Sequence, residues 1–174
     1  MHNITIQEIH YSQAQQLQTL ARQTFFETFS DVNTAEDMQK YLDESFGIEQ
    51  LKAELENADS KFYAAKKGDE MIGYIKLNTG KAQTELKQAN GMEIERIYVL
   101  QQYHGLKIGQ LLYEKAVEVA KESGADYIWL GVWEENFKAI RFYEKNGFKA
   151  FDKHIFRLGN DEQTDIMMKL ELKE

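Results

Sequence analysis

Residues 97–110 read IYVLQQYHGLKIGQ, and the fold turns on this stretch. A short run rich in β-branched residues, Ile97-Tyr98-Val99, gives way to a polar loop. The loop closes on His104-Gly105-Leu106-Lys107-Ile108-Gly109, and from there the apolar spacing becomes helical. Strand, glycine-bearing turn and helix N-terminus in that order leave backbone N–H groups unpaired at the positive end of a helix dipole. Such an arrangement suits a phosphate-bearing ligand. Two common phosphate motifs do not fit. There is no GxxxxGK[ST] string, and Gly105 and Gly109 lack the spacing of GxGxxG.

The residues just upstream sharpen the reading. Ile97 and Val99 keep the period of a strand, but Ile94 is three residues from Ile97. One extra residue in that interval is what a β-bulge inserts, and a bulge bends its strand. The expected consequence is a strand that splays away from a parallel neighbour at residues 126–133 (DYIWLGVW), an almost unbroken apolar run suited to the sheet interior. Splaying leaves N–H and C=O groups on both edges in need of partners. An extended, amide-containing chain could satisfy them as an added strand would.

The 174 residues suggest one domain spanning 1–174, with 43% hydrophobic residues, ordinary for a globular chain. No apolar run approaches the roughly 20 residues of a membrane helix, so no membrane partner is expected. The opening MHNITIQEIHYS lacks a charged segment followed by an apolar one, so no signal peptide is expected. Cysteine is absent, which removes disulfides, thiolate metal sites and cysteine nucleophiles and fits a cytoplasmic setting. No metal site is expected. The net charge of −8 argues against nucleic-acid binding and would favour a cationic substrate.

Periodicity gives the remaining elements. Residues 4–9 read as a strand. Ser12 is expected to cap a helix to about Phe29, and Asn33 or Thr34 to open a second to about Ser45. A third helix is expected over 48–57, and 61–66 and 71–78 form a hairpin about Lys67-Gly68-Asp69-Glu70. The polar stretch 79–91 reads as a loop, 92–100 as a strand, 108–122 as a helix, 126–133 as a strand and 135–146 as a helix stopped by Gly147. Strands at 148–155 and 165–172 finish the chain. The strand–helix–strand from 92 to 133 has the length of a parallel βαβ unit, while the flanking hairpins favour antiparallel pairing. The fold class expected is α/β: a twisted mixed sheet of about seven strands with helices on both faces.

Two motifs carry a family resemblance. Residues 136–148, NFKAIRFYEKNGF, resemble the pattern N-x-x-A-x-x-F-Y-x-x-x-G-F of the GNAT acetyltransferase superfamily. Asn136, Ala139, Phe142, Tyr143, Gly147 and Phe148 stand at its fixed positions. The loop resembles the superfamily's acetyl-CoA signature [Q/R]xxGx[G/A], with His104, Lys107 and Gly109 at the first, fourth and sixth positions; only Gly109 matches strictly. The resemblance implies a GNAT fold and acetyl-CoA as cosubstrate. Ile97, Tyr98 and Val99 would meet the pantetheine arm. The N–H groups of Leu106, Lys107, Ile108, Gly109 and Gln110 would hold the pyrophosphate, with the Lys107 cation near the phosphates, and His104, Gly105, Asn136 and Tyr143 would complete the cofactor contacts.

The resemblance also implies direct transfer to a primary amine within a ternary complex. Aminolysis of a thioester expels a thiolate, and a phenol in reach can protonate it, which is the expected catalytic role of Tyr143. A carboxylate must take the proton of an amine that is charged at neutral pH, and Glu93 and Glu95 are the catalytic candidates. N–H groups of the bulged strand are candidates for the oxyanion contact.

Most of the chain further resembles bacterial Pai-type polyamine N-acetyltransferases, in the strings FFETF (25–29), YLDESF (41–46), EIERIYV (93–99), IWLGVWE (128–134) and DEQTDIMM (161–168). The implied acceptor is spermidine or spermine, drawn by Glu27, Asp31, Glu36, Asp37, Asp43 and Glu44 in the early helices. A homodimer is compatible with this resemblance. Two alternatives stand beside it: a protein N-terminal or lysine acetyltransferase, and a noncatalytic acyl-CoA-binding sensor. A kinase or NTPase fails for lack of a phosphate-gripping GK[ST].

Overall fold

The computed structural model describes residues 3–85 and 90–173. Its strands are β1 (Ile4–Glu8), β2 (Ser60–Lys67), β3 (Glu70–Thr79), β4 (Gly91–Val99), β5 (Tyr127–Trp133), β6 (Lys149–Leu158) and β7 (Asp161–Glu171). Its α-helices are α1 (Ala14–Phe29), α2 (Ala35–Ser45), α3 (Ile48–Glu56), α4 (Ile108–Glu122) and α5 (Phe137–Lys145). The strands form one sheet in the order β1-β2-β3-β4-β5-β7-β6, and only the β4–β5 pair is parallel. This is the mixed α/β architecture expected. Among the described residues no helix is long and apolar enough to cross a membrane.

Each face of the sheet carries its own core. On one face α4 and α5 bury Ile108, Leu112, Ala116 and Tyr143 against Ile75, Met92, Ile94, Ile128 and Leu130. On the other, α1, α2 and α3 bury Leu17, Phe25, Leu42 and Leu51 against Phe62, Ala64 and Tyr74. The bulge in β4 decides which side chains reach which core. Lys76 pairs with Arg96 but Leu77 pairs with Ile94, so Glu95 is the extra residue. Ile94 and Ile97 therefore both face the α4–α5 core despite their odd spacing, and Arg96 and Tyr98 turn toward the α1–α3 side. In a regular strand Ile94 and Ile97 would lie on opposite faces.

The bulge also ends the parallel ladder. β4 and β5 pair only at Gly91–Tyr127, Met92–Ile128 and Glu93–Trp129. Past Glu93 the two strands diverge, and the edges that face each other have no strand partner.

Most boundaries shift by a residue or two, and three departures from expectation have a structural reason. Ser12 lies in a 3₁₀ turn, Tyr11–Gln13, and α1 starts at Ala14. His10 N–H donates to Gln13 Oε1 at 2.9 Å, so a local bond takes the place of the Ser12 cap. The last two strands are longer than periodicity suggests, because the antiparallel ladder runs to a turn at Gly159 (φ 62°). Within the expected loop, Gly80–Ala82 form a 3₁₀ turn; residues 86–89 lie outside the described residues.

Candidate active site

The divergence of β4 and β5 opens a cleft of about 330 Å³. Its walls are the bulged half of β4, residues Leu130 to Trp133 of β5, Asn136, Ala139 and Tyr143 at the start and middle of α5, and a set of aromatic and acidic side chains under α1 and α2. The sequence-derived candidates Glu93, Glu95, Ile97, Tyr98, Asn136 and Tyr143 are all brought to this one cleft.

The loop before α4 has the form an anion needs. Leu111 N–H bonds the Lys107 carbonyl, closing the first turn. The N–H groups of Leu106, Ile108, Gly109 and Gln110 have no acceptor among the described residues, and the helix has no side-chain cap. A Cβ placed on Gly105 or Gly109 would meet nothing, so the approach to these N–H groups is open. These groups fit a pyrophosphate at a helix N-terminus. Lys107 is left-handed (φ 63°, ψ 25°), the only described non-glycine residue at positive φ. The loop keeps a glycine-like backbone with a lysine in it, which adds a cation where the phosphates would lie. His104 does not reach into this loop; its Nε2–H donates to the Val99 carbonyl at 2.8 Å. A carbonyl only accepts, so Nε2 carries the proton. That bond ties the end of β4 to the loop.

At the other motif, the Asn136 side chain caps α5 by accepting the Ala139 N–H at 3.2 Å. The helix ends in a Schellman motif: Phe148 N–H bonds the Tyr143 carbonyl at 3.0 Å and Gly147 N–H the Glu144 carbonyl at 3.0 Å. Gly147 sits at φ 97°, the conformation that ending requires. Phe142 and Phe148 flank Tyr143, with ring centroids at 5.4 and 5.6 Å. Tyr143 is thereby held at 6% exposure, and burial alone pushes its hydroxyl well above the ordinary phenol value. It stays protonated at any working pH, as a proton donor to a thiolate should.

The two glutamates differ. Glu93 is 3% exposed. Its Oε1 accepts from Asn78 Nδ2 at 3.0 Å and Thr84 N–H at 2.8 Å, and its Oε2 from the Thr84 hydroxyl at 2.5 Å. Burial raises its carboxyl, and these bonds recover only part of that. Glu95 belongs to a buried four-member network. Lys76 contacts Glu54 and Glu95 at 2.9 and 2.8 Å, and Arg96 contacts the same two at 2.9 and 3.2 Å. Burial works to raise Glu95 as well, but the Arg96 and Lys76 charges outweigh it and the carboxyl is lowered. A lowered carboxyl is a poor base; a raised one is a better base.

The acidic wall is not where the helices suggested. Among the described residues, none of Glu27, Asp31, Glu36, Asp37, Asp43 and Glu44 lines the cleft. Glu27 accepts the Gln101 N–H at 2.9 Å and Asp43 pairs with Arg22 at 3.1 Å. The carboxylates on the wall are Glu85, Glu93, Glu95 and Asp165, with His154 among them. Phe25, Phe29, Tyr41, Tyr98 and Trp133 supply the apolar surface around them. Phe25 stacks on Tyr41 at 4.6 Å, and Phe29 meets Trp133 at 6.0 Å. Sequence reasoning missed Asp165, His154 and Gly131. The one local signal was Gly131 itself, since a glycine inside an apolar strand often marks a close approach. Among the described residues no cluster of acidic and histidine side chains could hold a metal.

Comparison with known proteins agrees with this geometry. The sequence model of the Acetyltransferase (GNAT) family matches residues 15–148. An uncharacterized N-acetyltransferase of Lactobacillus delbrueckii subsp. lactis is 40% identical over 150 residues, 86% of this chain and 87% of that one. The spermidine N(1)-acetyltransferase of Thermoplasma acidophilum is 28% identical over 154 residues, 86% of this chain and 91% of that one. The crystal structure of the PaiA N-acetyltransferase of Thermoplasma acidophilum in complex with coenzyme A superposes with a TM-score of 0.80 at 26% identity, covering 97% of this chain and 99% of that one. With a bulged β4 splayed from β5, open N–H groups before α4 and a buried tyrosine on α5, this chain belongs to the GNAT family of acetyl-CoA-dependent N-acetyltransferases.

Proposed function

We propose that this enzyme transfers the acetyl group of acetyl-CoA directly to a primary amine of a small polycation, with spermidine or spermine as the acceptor, in the cytoplasm. The observation that carries the reading is the α1–α3 side of the cleft. There Glu85, Glu93 and Asp165 stand among Phe25, Phe29, Tyr41 and Trp133. Carboxylates among aromatic faces suit alkyl chains bearing ammonium groups. The Glu95 charge does not add to this wall, because Lys76 and Arg96 balance it together with Glu54. The similarity to a protein named as a spermidine acetyltransferase supports the same reading.

In this mechanism the backbone of Ile97, Tyr98 and Val99 lies along the pantetheine arm, and N–H groups there receive the carbonyl oxygen as it gains charge. The N–H groups of Gly105, Leu106, Ile108, Gly109 and Gln110, with Lys107, hold the pyrophosphate. The neutral amine attacks the thioester carbonyl, the C–N bond forms and the C–S bond breaks. Tyr143 gives its proton to the departing thiolate. Glu93 takes the amine's proton, directly or through water; Glu95 is too firmly ion-paired to do so.

Steady-state assays with acetyl-CoA and a panel of polyamines, monoamines and peptides test the proposal. Turnover is expected with spermidine or spermine. Turnover restricted to peptide N-termini or lysine side chains overturns the polyamine assignment.

A further inference from the structure

Asp165 lies on β7 opposite Trp133 of β5 and His154 of β6. Its half-buried carboxylate faces the cleft over Gly131. A Cβ at position 131 would stand 3.5 Å from Asp165 Oδ2 and 3.5 Å from His154 Cε1. Any side chain longer than hydrogen would therefore begin to cover the carboxylate from the cleft side. Glu93 and Glu95 spend their oxygens on internal donors. The Asp165 backbone lies in the ladders to β5 and β6, but among the described residues no hydrogen bond or salt bridge reaches its carboxylate. Burial pushes its carboxyl up and the neighbouring His154 offsets this only in part. His154 Nε2 turns to Glu85 at 3.8 Å, and its Nδ1 is buried with no partner. A partly desolvated carboxylate that no hydrogen bond satisfies costs stability.

We propose that Asp165 pairs with a cationic nitrogen of the acceptor amine across the gap that Gly131 leaves, and so determines acceptor specificity. The proposal rests on the amine-acetyltransferase reading of the cleft. Asp165 lies beyond residue 148, where the family match ends. The cofactor apparatus would be shared with other family members, whereas this contact concerns the acceptor alone.

The test is Asp165→Asn, which keeps the shape and removes the charge. It is assayed with spermidine and with a peptide bearing a free N-terminal alanine. The expected result is an acceptor KM raised about tenfold or more, the size of a lost charge-assisted hydrogen bond. The kcat and the acetyl-CoA KM should change by less than about twofold, and the melting temperature should not fall. Asp165→Glu should recover part of the acceptor affinity. Gly131→Ala, which places a methyl over an intact carboxylate, should raise the acceptor KM in the same direction and serves if Asp165→Asn does not fold. Wild-type preference between spermidine and the peptide decides the polyamine assignment. The ratio of variant to wild-type KM, on whichever amine is turned over, decides the role of Asp165. An unchanged acceptor KM, or a loss of kcat in step with melting temperature, overturns the proposal. Lack of turnover with both amines overturns it together with the reading beneath it.

Discussion

Glu93 and Glu95 share one donor: the side-chain amide of Asn78 reaches Glu93 Oε1 at 3.0 Å and Glu95 Oε1 at 2.8 Å. Asn78 is fully buried, and its own Oδ1 accepts the Ser60 hydroxyl at 2.9 Å. Two residues apart on β4, the two glutamates share a face by ordinary strand alternation; the bulge adds Arg96 to the same side, next to Glu95. Their environments then push the two carboxyls in opposite directions, Glu93 up and Glu95 down. The pair divides into a group suited to take a proton and a group suited to hold the fold.

Glu93→Gln should lower kcat with a small effect on melting temperature. Glu95→Gln should do the reverse, costing roughly 3–5 kcal/mol because it leaves Lys76 and Arg96 facing a single carboxylate in a buried network. Urea denaturation and steady-state kinetics on both variants check this division. Equal losses of stability in the two would remove it.

The same network predicts acid sensitivity. Glu54 and Glu95 are both lowered from the ordinary value of 4.5 by Arg96 and Lys76, against the pull of burial. A carboxylate lowered in the folded state adds stability that is fully present above the unfolded value and is lost as pH falls through the folded one. Stability should therefore hold near neutrality and decline as pH drops below about 4.5. In Glu95→Gln the decline should be shallower. Melting temperatures across that range measure the difference.

What the sequence made legible was local. The gap from Ile94 to Ile97 announced the bulge because strand alternation is read from neighbours along the chain. The Tyr143 helix and its Gly147 stop were legible for the same reason. The proposed acceptor wall was not, because Asp165 meets Gly131 only through the β5–β7 register, and nothing near Asp165 in sequence encodes that pairing. The Glu54–Arg96 contact likewise joins α3 to β4 over a long separation. The acidic residues Glu27, Asp31, Glu36, Asp37, Asp43 and Glu44 suggested an acceptor site through the resemblance to polyamine acetyltransferases, yet none of them lines the cleft.

Tyr143→Phe removes the proposed proton donor and leaves the ring packing against Phe142 and Phe148 intact. The kcat should fall about 10²-fold, within the usual range for a general acid, with acetyl-CoA affinity nearly unchanged. Because the hydroxyl is raised by burial, the alkaline limb of the wild-type profile should not come from Tyr143. An unaltered kcat, with chemistry rate-limiting, removes this residue from the mechanism.

Lys107 holds a left-handed backbone that costs an L-residue roughly 1–2 kcal/mol. Lys107→Gly should raise stability by about 1 kcal/mol, or some 2–4 °C in melting temperature for a chain of this size. It also removes a cation beside the phosphate site, so the acetyl-CoA KM should rise severalfold at low salt and less at high salt. Scanning calorimetry and salt-dependent kinetics read the two effects separately. A fall in melting temperature would mean the lysine side chain stabilises the loop by more than its backbone costs.

Gly91 begins the short parallel ladder from which the cleft opens. The Tyr127 ring lies against it so closely that a Cβ there would come within 2.6 Å of the ring carbon bearing the hydroxyl. Tyr127 is 3% exposed and its ring is covered by the Lys169 ammonium at 4.3 Å, so it cannot swing aside without disturbing β7. Gly91→Ala should therefore cost about 1–3 kcal/mol, as overpacking does. The strain falls on the short ladder Gly91–Tyr127, Met92–Ile128 and Glu93–Trp129 that joins β4 to β5, and those pairs fix the angle at which the strands diverge. The kcat should fall along with stability, although position 91 touches neither Tyr143 nor the phosphate loop. Gly91→Ala combined with Tyr127→Phe should relieve little, because the ring carbons clash as well as the hydroxyl. Gly91→Ala combined with Tyr127→Leu should recover part of both losses. Failure of the leucine variant to restore activity would separate the ladder from the geometry of the cleft.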